Sequence, residues 1–192
     1  MSTTQTTQTT QAQSSWNLDL AHSGIHFSVR HMVIAKVRGR FAKFEGKVEL
    51  DPADLTRSSV QVAIDAASID TGIADRDAHL RSADFFDAET FPTLDYVSKR
   101  IERVSDTELR MVGDLTIRGT TREVPVLVEF GGIGKDPWGN ERAGFTAKAS
   151  IDRREFGLHW NQVLEAGGVL VGERIEIDIE LEAVRAKEQR AA

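Results

Sequence analysis

Strict alternation of apolar and polar residues is the feature of this sequence that most limits its fold. The clearest case lies near the C-terminus, where an apolar stripe alternates with an acidic one: Ile175, Ile177, Ile179 and Leu181 against Glu176, Asp178, Glu180 and Glu182. Successive side chains of a β-strand point to opposite faces, so this pattern predicts a strand with one face in the core and one in water. Similar stripes start at Ile25, Val60, Leu109, Val124 and Phe145. Less regular patterns predict further strands at residues 37–50 and 94–104, and an opening strand at 16–21 that pairs with the one starting at Ile25.

Turn-forming residues separate these stripes, and long helices are not predicted anywhere. Pro125 interrupts one strand pattern, which places it at a sheet edge or a bulge. Residues 71–87 do not alternate and predict one short helix at 73–81, while residues 153–168 predict a loop or a second short helix. About eight strands joined by short turns predict an all-β barrel or sandwich. An eight-stranded barrel interior is either filled by side chains or holds one small ligand, and periodicity alone leaves both open.

Composition predicts one domain and excludes several classes of function. The chain has 192 residues, no cysteine and a net charge of −6, so thiol chemistry is excluded. Lys and Arg are scattered among Asp and Glu, which argues against nucleic acid and against charge-driven binding to anionic membranes. Residues 1–15 are almost entirely Thr, Gln and Ser and predict a disordered tail, not a signal peptide. The predicted barrel spans residues 16–186, a short tail follows at 187–192, and the absence of a membrane-length apolar run predicts a cytoplasmic protein.

Histidines and charged residues supply the candidates for chemistry. His22, His26 and His31 lie close in sequence, but His31 falls on the other face of a strand and His79 and His159 are distant. A zinc site needs three or four converging ligands, so no metal site and no cofactor are predicted. The segment from Asp75 to Arg81 is rich in titratable groups but lacks a recognisable nucleophile motif. Three interpretations remain: a capped helix, a polar contact for a ligand, or an enzyme using His79, Asp77 and Arg153.

Small and aromatic residues bear on the interior of the barrel. Gly113, Ala147 and Ala149 lie on inward stripes, and small inward residues leave space for a lumen. Phenylalanines are spread over several strands and both irregular stretches.

Several motifs together resemble the YceI-like family of lipocalin-like polyisoprenoid-binding proteins. They include the opening Trp16-x-Leu-Asp-x-x-His22-Ser23-x-Ile25-x-Phe27, the long string from Arg76 to Asp87, and Ile151-Asp152-Arg153-x-x-Phe156-Gly157. The resemblance implies an eight-stranded antiparallel lipocalin-like barrel that holds a long isoprenoid lipid, such as an isoprenoid quinone or a polyprenyl phosphate, and performs no catalysis. A ligand-free structural barrel and an enzyme acting at the barrel mouth are the alternatives. A homodimer is left open.

The expected binding residues are drawn from the apolar stripes and the central string. A lumen lining is predicted from Phe27, Phe41, Phe44, Val62, Ile64, Phe85, Phe86, Leu115, Ile117, Phe145, Ala147 and Phe156. The polar groups expected nearest a ligand head group are Arg76, His79 and Arg153.

Overall fold

The computed structural model describes residues 13–32, 35–163 and 169–186, and nearly all of the predicted stripes form strands. The strands are β1 (Ser14–Leu18), β2 (Gly24–His31), β3 (Ala35–Phe41), β4 (Phe44–Leu50), β5 (Ser59–Asp65), β6 (Ile69–Asp70), β7 (Thr93–Arg103), β8 (Glu108–Ile117), β9 (Thr120–Lys135), β10 (Glu141–Asp152) and β11 (Val171–Arg185). One α-helix, α1 (Ala74–Arg81), lies between β6 and β7, and short 3₁₀ turns occupy Leu20–His22, Leu55–Arg57, Ala66–Ser68 and Arg153–Phe156. No helix among these described residues is long and apolar enough to cross a membrane.

The strands close into an antiparallel barrel of eight, as predicted. β1 and β2 lie end to end along β11, which pairs with β1 near Ala183 and with β2 from Val171 to Glu180. β3 and β4 follow the same path as one bent strand, and so do β5 and β6. These three bent strands and β7 to β11 make up the eight strands of the closed barrel, which are called staves below. The ring is closed because β1 pairs with β4 on one side and with β11 on the other.

Two strand predictions are wrong, and the bends explain both. The strand predicted at 37–50 is interrupted at Ala42 and Lys43, whose N–H groups donate to the backbone oxygen and the hydroxyl of Ser68 instead of to a neighbouring strand. The opening strand pairs with β4 and β11 and not with β2. The turn after β1 bends the chain without reversing its direction, so β2 continues along the same partner, β11.

The predicted boundaries can be compared only where the structure describes the chain. β1 begins at Ser14, which pairs with Leu50, so the last two residues of the predicted tail belong to the barrel. The rest of that tail up to residue 12, and the predicted tail at 187–192, lie outside the described residues. The predicted helix at 73–81 is confirmed as α1 with Ile73 as its cap. Pro125 is confirmed at an edge, because β10 stops pairing with β9 at Leu127 and leaves β8 as the only partner described there.

Apolar side chains fill the two ends of the barrel differently. One end, called here the closed end, is sealed by Trp16, Leu50 and Leu55, which are 1%, 2% and 6% exposed. The other end is bordered by α1, by the ends of β2 and β3, and by the described residues between β10 and β11, 153–160 and 170. The barrel is therefore a cup with one sealed base.

Candidate functional site

The barrel is hollow, and its interior is the main candidate site. The cavity has a volume of about 560 Å³, within the range of roughly 300–1,000 Å³ usual for small-molecule sites. The inward stripe of β11 shows that side chains do not fill the interior: Ile175, Ile177, Ile179 and Leu181 all point into the barrel, yet they remain only half-buried. Their free surface faces the lumen. The structure therefore decides between the two interiors that the sequence left open.

Most residues predicted to line the lumen do so. The cavity is bordered by Phe27, Phe41, Val62, Ile64, Phe85, Phe86, Leu115, Ile117, Phe145 and Ala147, and at its mouth by Arg76, His79 and Arg153. Phe44 and Phe156 do not border it. Phe44 lies at the bend that opens β4 and Phe156 in the 3₁₀ turn after β10, and both are buried in the core, 7% and 1% exposed.

One small residue expected to widen the lumen does not. A Cβ at Gly113 would lie 2.6 Å from the ring of Tyr96, so this aromatic ring already occupies the space above the glycine. Tyr96 itself borders the cavity, and burial, with Asp114 and Glu123 nearby, raises the pKa of its hydroxyl above the usual range. Ala147 and Ala149 border the cavity as predicted.

Several lining residues were not selected from the sequence. The sequence predicts Ile175, Ile177, Ile179 and Leu181 as a core stripe, and the same alternation indicates that they face the lumen. Leu80 lies in the predicted helix, whose inward face the sequence does not indicate, and Trp160 lies in an irregular segment without a periodic pattern. Tyr96 lies in a strand with a less regular pattern, which does not indicate which of its residues face inward.

Arg76 is held at the mouth by a compact polar cluster. Its Nε donates to the Thr71 hydroxyl at 2.7 Å and its Nη2 to the Thr71 carbonyl oxygen at 2.9 Å. The Thr71 hydroxyl and N–H in turn donate to a carboxylate oxygen of Asp77, at 2.5 and 2.9 Å. Asp77 is 6% exposed. This cluster ties the first turn of α1 to the strand before it and fixes Arg76 beside the lumen.

His79 stands on the next turn of α1 among aromatic rings. Its Nε2 lies 2.9 Å from a carboxylate oxygen of Asp84. Its ring meets Trp160 and Phe85 edge-on, with centroid distances of 4.6 and 5.1 Å. The imidazole therefore has one polar side and one apolar side at the rim of the cavity.

Arg153 is buried and its donors are already engaged. Its guanidinium donates to the carbonyl oxygens of Gly172 and Trp160 at 2.9 and 3.0 Å, to that of Leu158 in a short bond, and to that of Val171 at 3.4 Å. Burial lowers its pKa from the ordinary value of arginine. Arg153 thus fastens the segment between β10 and β11 to the barrel. Asp77, His79 and Arg153 each have separate partners and do not form a shared hydrogen-bonded set.

The histidines near the N-terminus do not converge on one another. Within the described residues, Asp19, His22 and Glu182 bring ligand atoms within 4.8 Å of one another. The Arg142 guanidinium lies between the two carboxylates: it is 2.6 Å from Asp19 and forms a short ion pair with Glu182. Hydrogen bonds from Arg142 and His22 lower the pKa of Asp19 to about 2. This cluster is an ion-pair network that joins the β1–β2 turn to β10 and β11.

Comparisons with known proteins agree with this architecture. The model of the YceI-like domain matches residues 16–183. A UPF0312 protein of Staphylococcus epidermidis is 39% identical over 168 residues, covering 87% of this chain and 95% of its own, and one of Vibrio cholerae is 37% identical over 165 residues, covering 86% and 83%. Among solved structures, BcnA of Burkholderia cenocepacia is similar with a TM-score of 0.76 and 28% identity, over 86% of this chain and 98% of that one.

A polyisoprenoid binding domain from Saccharophagus degradans has the same fold. Its TM-score is 0.69 over 91% of this chain and 99% of that one, at 15% identity. The match to the family model runs from Trp16, which seals the closed end, to Ala183 in β11, and so includes every stave, the cavity and the mouth. The chain belongs to the YceI-like family.

Proposed function

We propose that this chain binds one long-chain polyisoprenoid in its lumen and carries or stores it. The observation that supports this most directly is a cavity of about 560 Å³ with an almost wholly apolar lining and a sealed base. A polyprenyl tail has no hydrogen-bonding groups, so its binding rests on removing apolar surface from water, worth roughly 25 cal/mol per Å². An apolar cavity that is closed at one end provides that burial without directional contacts. Its depth would limit the length of the polyprenyl chain that fits.

The comparisons support the same class of ligand. The domain from Saccharophagus degradans is described as polyisoprenoid binding and shares the fold, and the family match extends over the whole barrel. A binding protein fits these relatives better than an enzyme does. The cytoplasmic location and the homodimer remain predictions.

The head group would sit at the mouth, beside α1. The proposed ligand is an isoprenoid quinone or a polyprenyl phosphate, and both carry oxygen acceptors at one end of an apolar chain. Arg76 and His79 are the polar side chains that hydrogen bonds hold at the rim, and we assign the head group to them. Arg153 contributes by holding the segment that borders the mouth, because its donors are engaged with carbonyl oxygens.

Native mass spectrometry of freshly purified protein tests the lipid assignment. We expect one co-purified apolar molecule per barrel, which organic extraction and mass analysis then identify. The ligand-free protein should bind a fluorescent polyprenyl probe with one-to-one stoichiometry. A protein that neither carries a lipid nor binds the probe would be a structural barrel.

Two variants test the head-group assignment. Arg76→Ala and His79→Ala should weaken binding of a polyprenyl phosphate more than binding of a bare polyprenyl chain. Arg110→Ala, on the outer surface of β8, is the matched control and should change neither. Equal losses for both ligands in Arg76→Ala would show that the arginine supports the fold of the mouth and does not contact the head group.

A further inference from the structure

Exposed apolar side chains stand on all three segments that border the mouth. Met32 follows β2, Ile73 precedes α1, and Val163 lies between β10 and β11; they are 41%, 52% and 85% exposed. Large apolar side chains exposed together at the rim of an apolar cavity mark an interaction surface more often than scattered ones do.

The contacts of Met32 and Val163, and the position of Ile73 in the chain, place all three at one rim. The N–H of Met32 donates to the Leu170 carbonyl oxygen at 3.0 Å, and Leu170 borders the cavity. Val163 pairs with Val169 in an isolated bridge, one residue before Leu170. Ile73 lies between Thr71 and Asp75, which also border the cavity. We call Met32, Ile73 and Val163 the apolar rim.

A cationic surface adjoins this rim on the β2–β3 hairpin. From Leu20 to Phe44 the sequence has no Asp or Glu, and its basic residues are Arg30, Lys36, Arg38, Arg40 and Lys43. The sequence analysis described Lys and Arg as scattered among Asp and Glu, but in this stretch the charged residues are all basic. Val29 and Val37 point into the cavity, so Arg30, Lys36 and Arg38 project from the outer face, with Arg30 directly opposite Lys36. We call these three residues the cationic face.

The positive charge of this face rests on Lys36 and Arg38. Lys36 and Arg38 make no ion pair with any residue that the structure describes. On the neighbouring β11, Glu173 already pairs with Arg154 at 2.8 Å and Glu176 with Arg174 at 2.9 Å.

We propose that the mouth of the barrel docks on an anionic lipid bilayer. The apolar rim enters the interface between head groups and acyl chains, and the cationic face meets the phosphates beside it. Apolar burial and attraction to anionic lipids act together in interfacial binding. The lumen then opens toward the membrane, so that a chain passes between bilayer and cup without crossing water. This last step rests on the proposed lipid-carrying function, whereas docking itself rests on the rim and the charges.

Flotation with vesicles tests the docking. The parent protein should bind vesicles of phosphatidylcholine containing about one quarter phosphatidylglycerol, bind pure phosphatidylcholine much less, and dissociate as salt is raised. Neutralising two cations in Lys36→Gln/Arg38→Gln should weaken binding about 25-fold. The matched control, Lys47→Gln/Lys135→Gln, changes two exposed lysines near the closed end and should bind as the parent does.

The apolar rim is tested in the same assay. Ile73→Ser/Val163→Ser should lose vesicle binding, while Val104→Ser/Trp138→Ser, which removes two exposed apolar residues at the opposite end, should retain it. All variants should bind the fluorescent polyprenyl probe in vesicle-free solution as the parent does.

The two proposals fail in distinguishable ways. A parent protein that binds the probe but not the anionic vesicles would overturn docking and leave the lumen function standing. Vesicle binding without probe binding would do the reverse. If the rim variants instead convert a dimer of the free protein to a monomer, the surface joins two copies and the membrane assignment is wrong.

Discussion

Filling the lumen from β10 gives the sharpest test of whether the cavity is the binding site. Ala149 borders the cavity and is half-buried, whereas Ala147, two residues earlier, is only 8% exposed. The side chain of Ala149 thus faces free space beside Ile177, its partner on β11. We expect Ala149→Trp to place an indole across the lumen. Lys148→Trp introduces the same side chain on the outer face of the same strand and is the matched control.

The magnitude of the effect on binding follows from the surface that the indole excludes. Each roughly 100 Å² of chain kept out of the lumen costs about 2.5 kcal/mol of binding free energy, which is more than about fiftyfold in Kd. Ala149→Trp should therefore raise the Kd of a fluorescent polyprenyl probe by at least about fiftyfold, and Lys148→Trp should leave it unchanged. Fluorescence titration measures both.

Stability gives an independent reading of the same variant. Overpacking a filled core costs about 1–3 kcal/mol of the free energy of unfolding, and each kcal/mol lowers Tm by about 2–4 °C in a domain of this size. Since the space in front of Ala149 is open, we expect Tm to change by less than about 2 °C. A drop of about 6 °C or more would show that side chains already fill the space in front of Ala149. A folded variant that binds the probe like the parent would show that the lumen is not the binding site.

Three further predictions concern the framework. Arg153→Met should lower the free energy of unfolding by at least about 3 kcal/mol in urea titrations, because several carbonyl oxygens lose their donor; near-parent stability would mean that this arginine is free for a ligand. Gly113→Ala should cost about 1–3 kcal/mol, since its Cβ would lie 2.5 Å from a backbone oxygen, whereas Gly144→Ala, with nothing within 4 Å, should be neutral by the same titration. Asp19 has a folded pKa of about 2, below its ordinary 3.8, so its stabilisation is complete above about pH 4 and is lost as the pH falls toward about 2; Arg142→Met should flatten that acid limb, and an unchanged limb would assign it to other carboxylates.

Alternation along the chain determined the class of fold. Apolar stripes such as Ile175 to Leu181 dictate strands with one buried face, and a run of such strands without intervening helices leads to an antiparallel barrel. The short helix after β6 was equally predictable, because the loss of strand alternation at residues 71–87 can be read from neighbouring residues alone. The same local logic selected most of the lumen lining, since an inward position on a strand is fixed by its neighbours two residues away.

Tertiary structure decided what alternation cannot encode. Whether an inward side chain meets another side chain or free space depends on the barrel's diameter and on residues distant in sequence, so Tyr96 covers Gly113 while Ala149 faces a cavity. The bend at Ala42 and Lys43 depends on hydrogen bonds that their N–H groups donate to Ser68, which lies on the neighbouring stave. Arg153 looked like a ligand contact in sequence, and only the folded chain brings to it the carbonyl oxygens that engage its donors. The cationic face likewise forms only in the folded chain, where strand pairing sets Arg30 opposite Lys36 beside the mouth. The position of that hairpin depends on closure of the whole barrel, which local alternation does not determine.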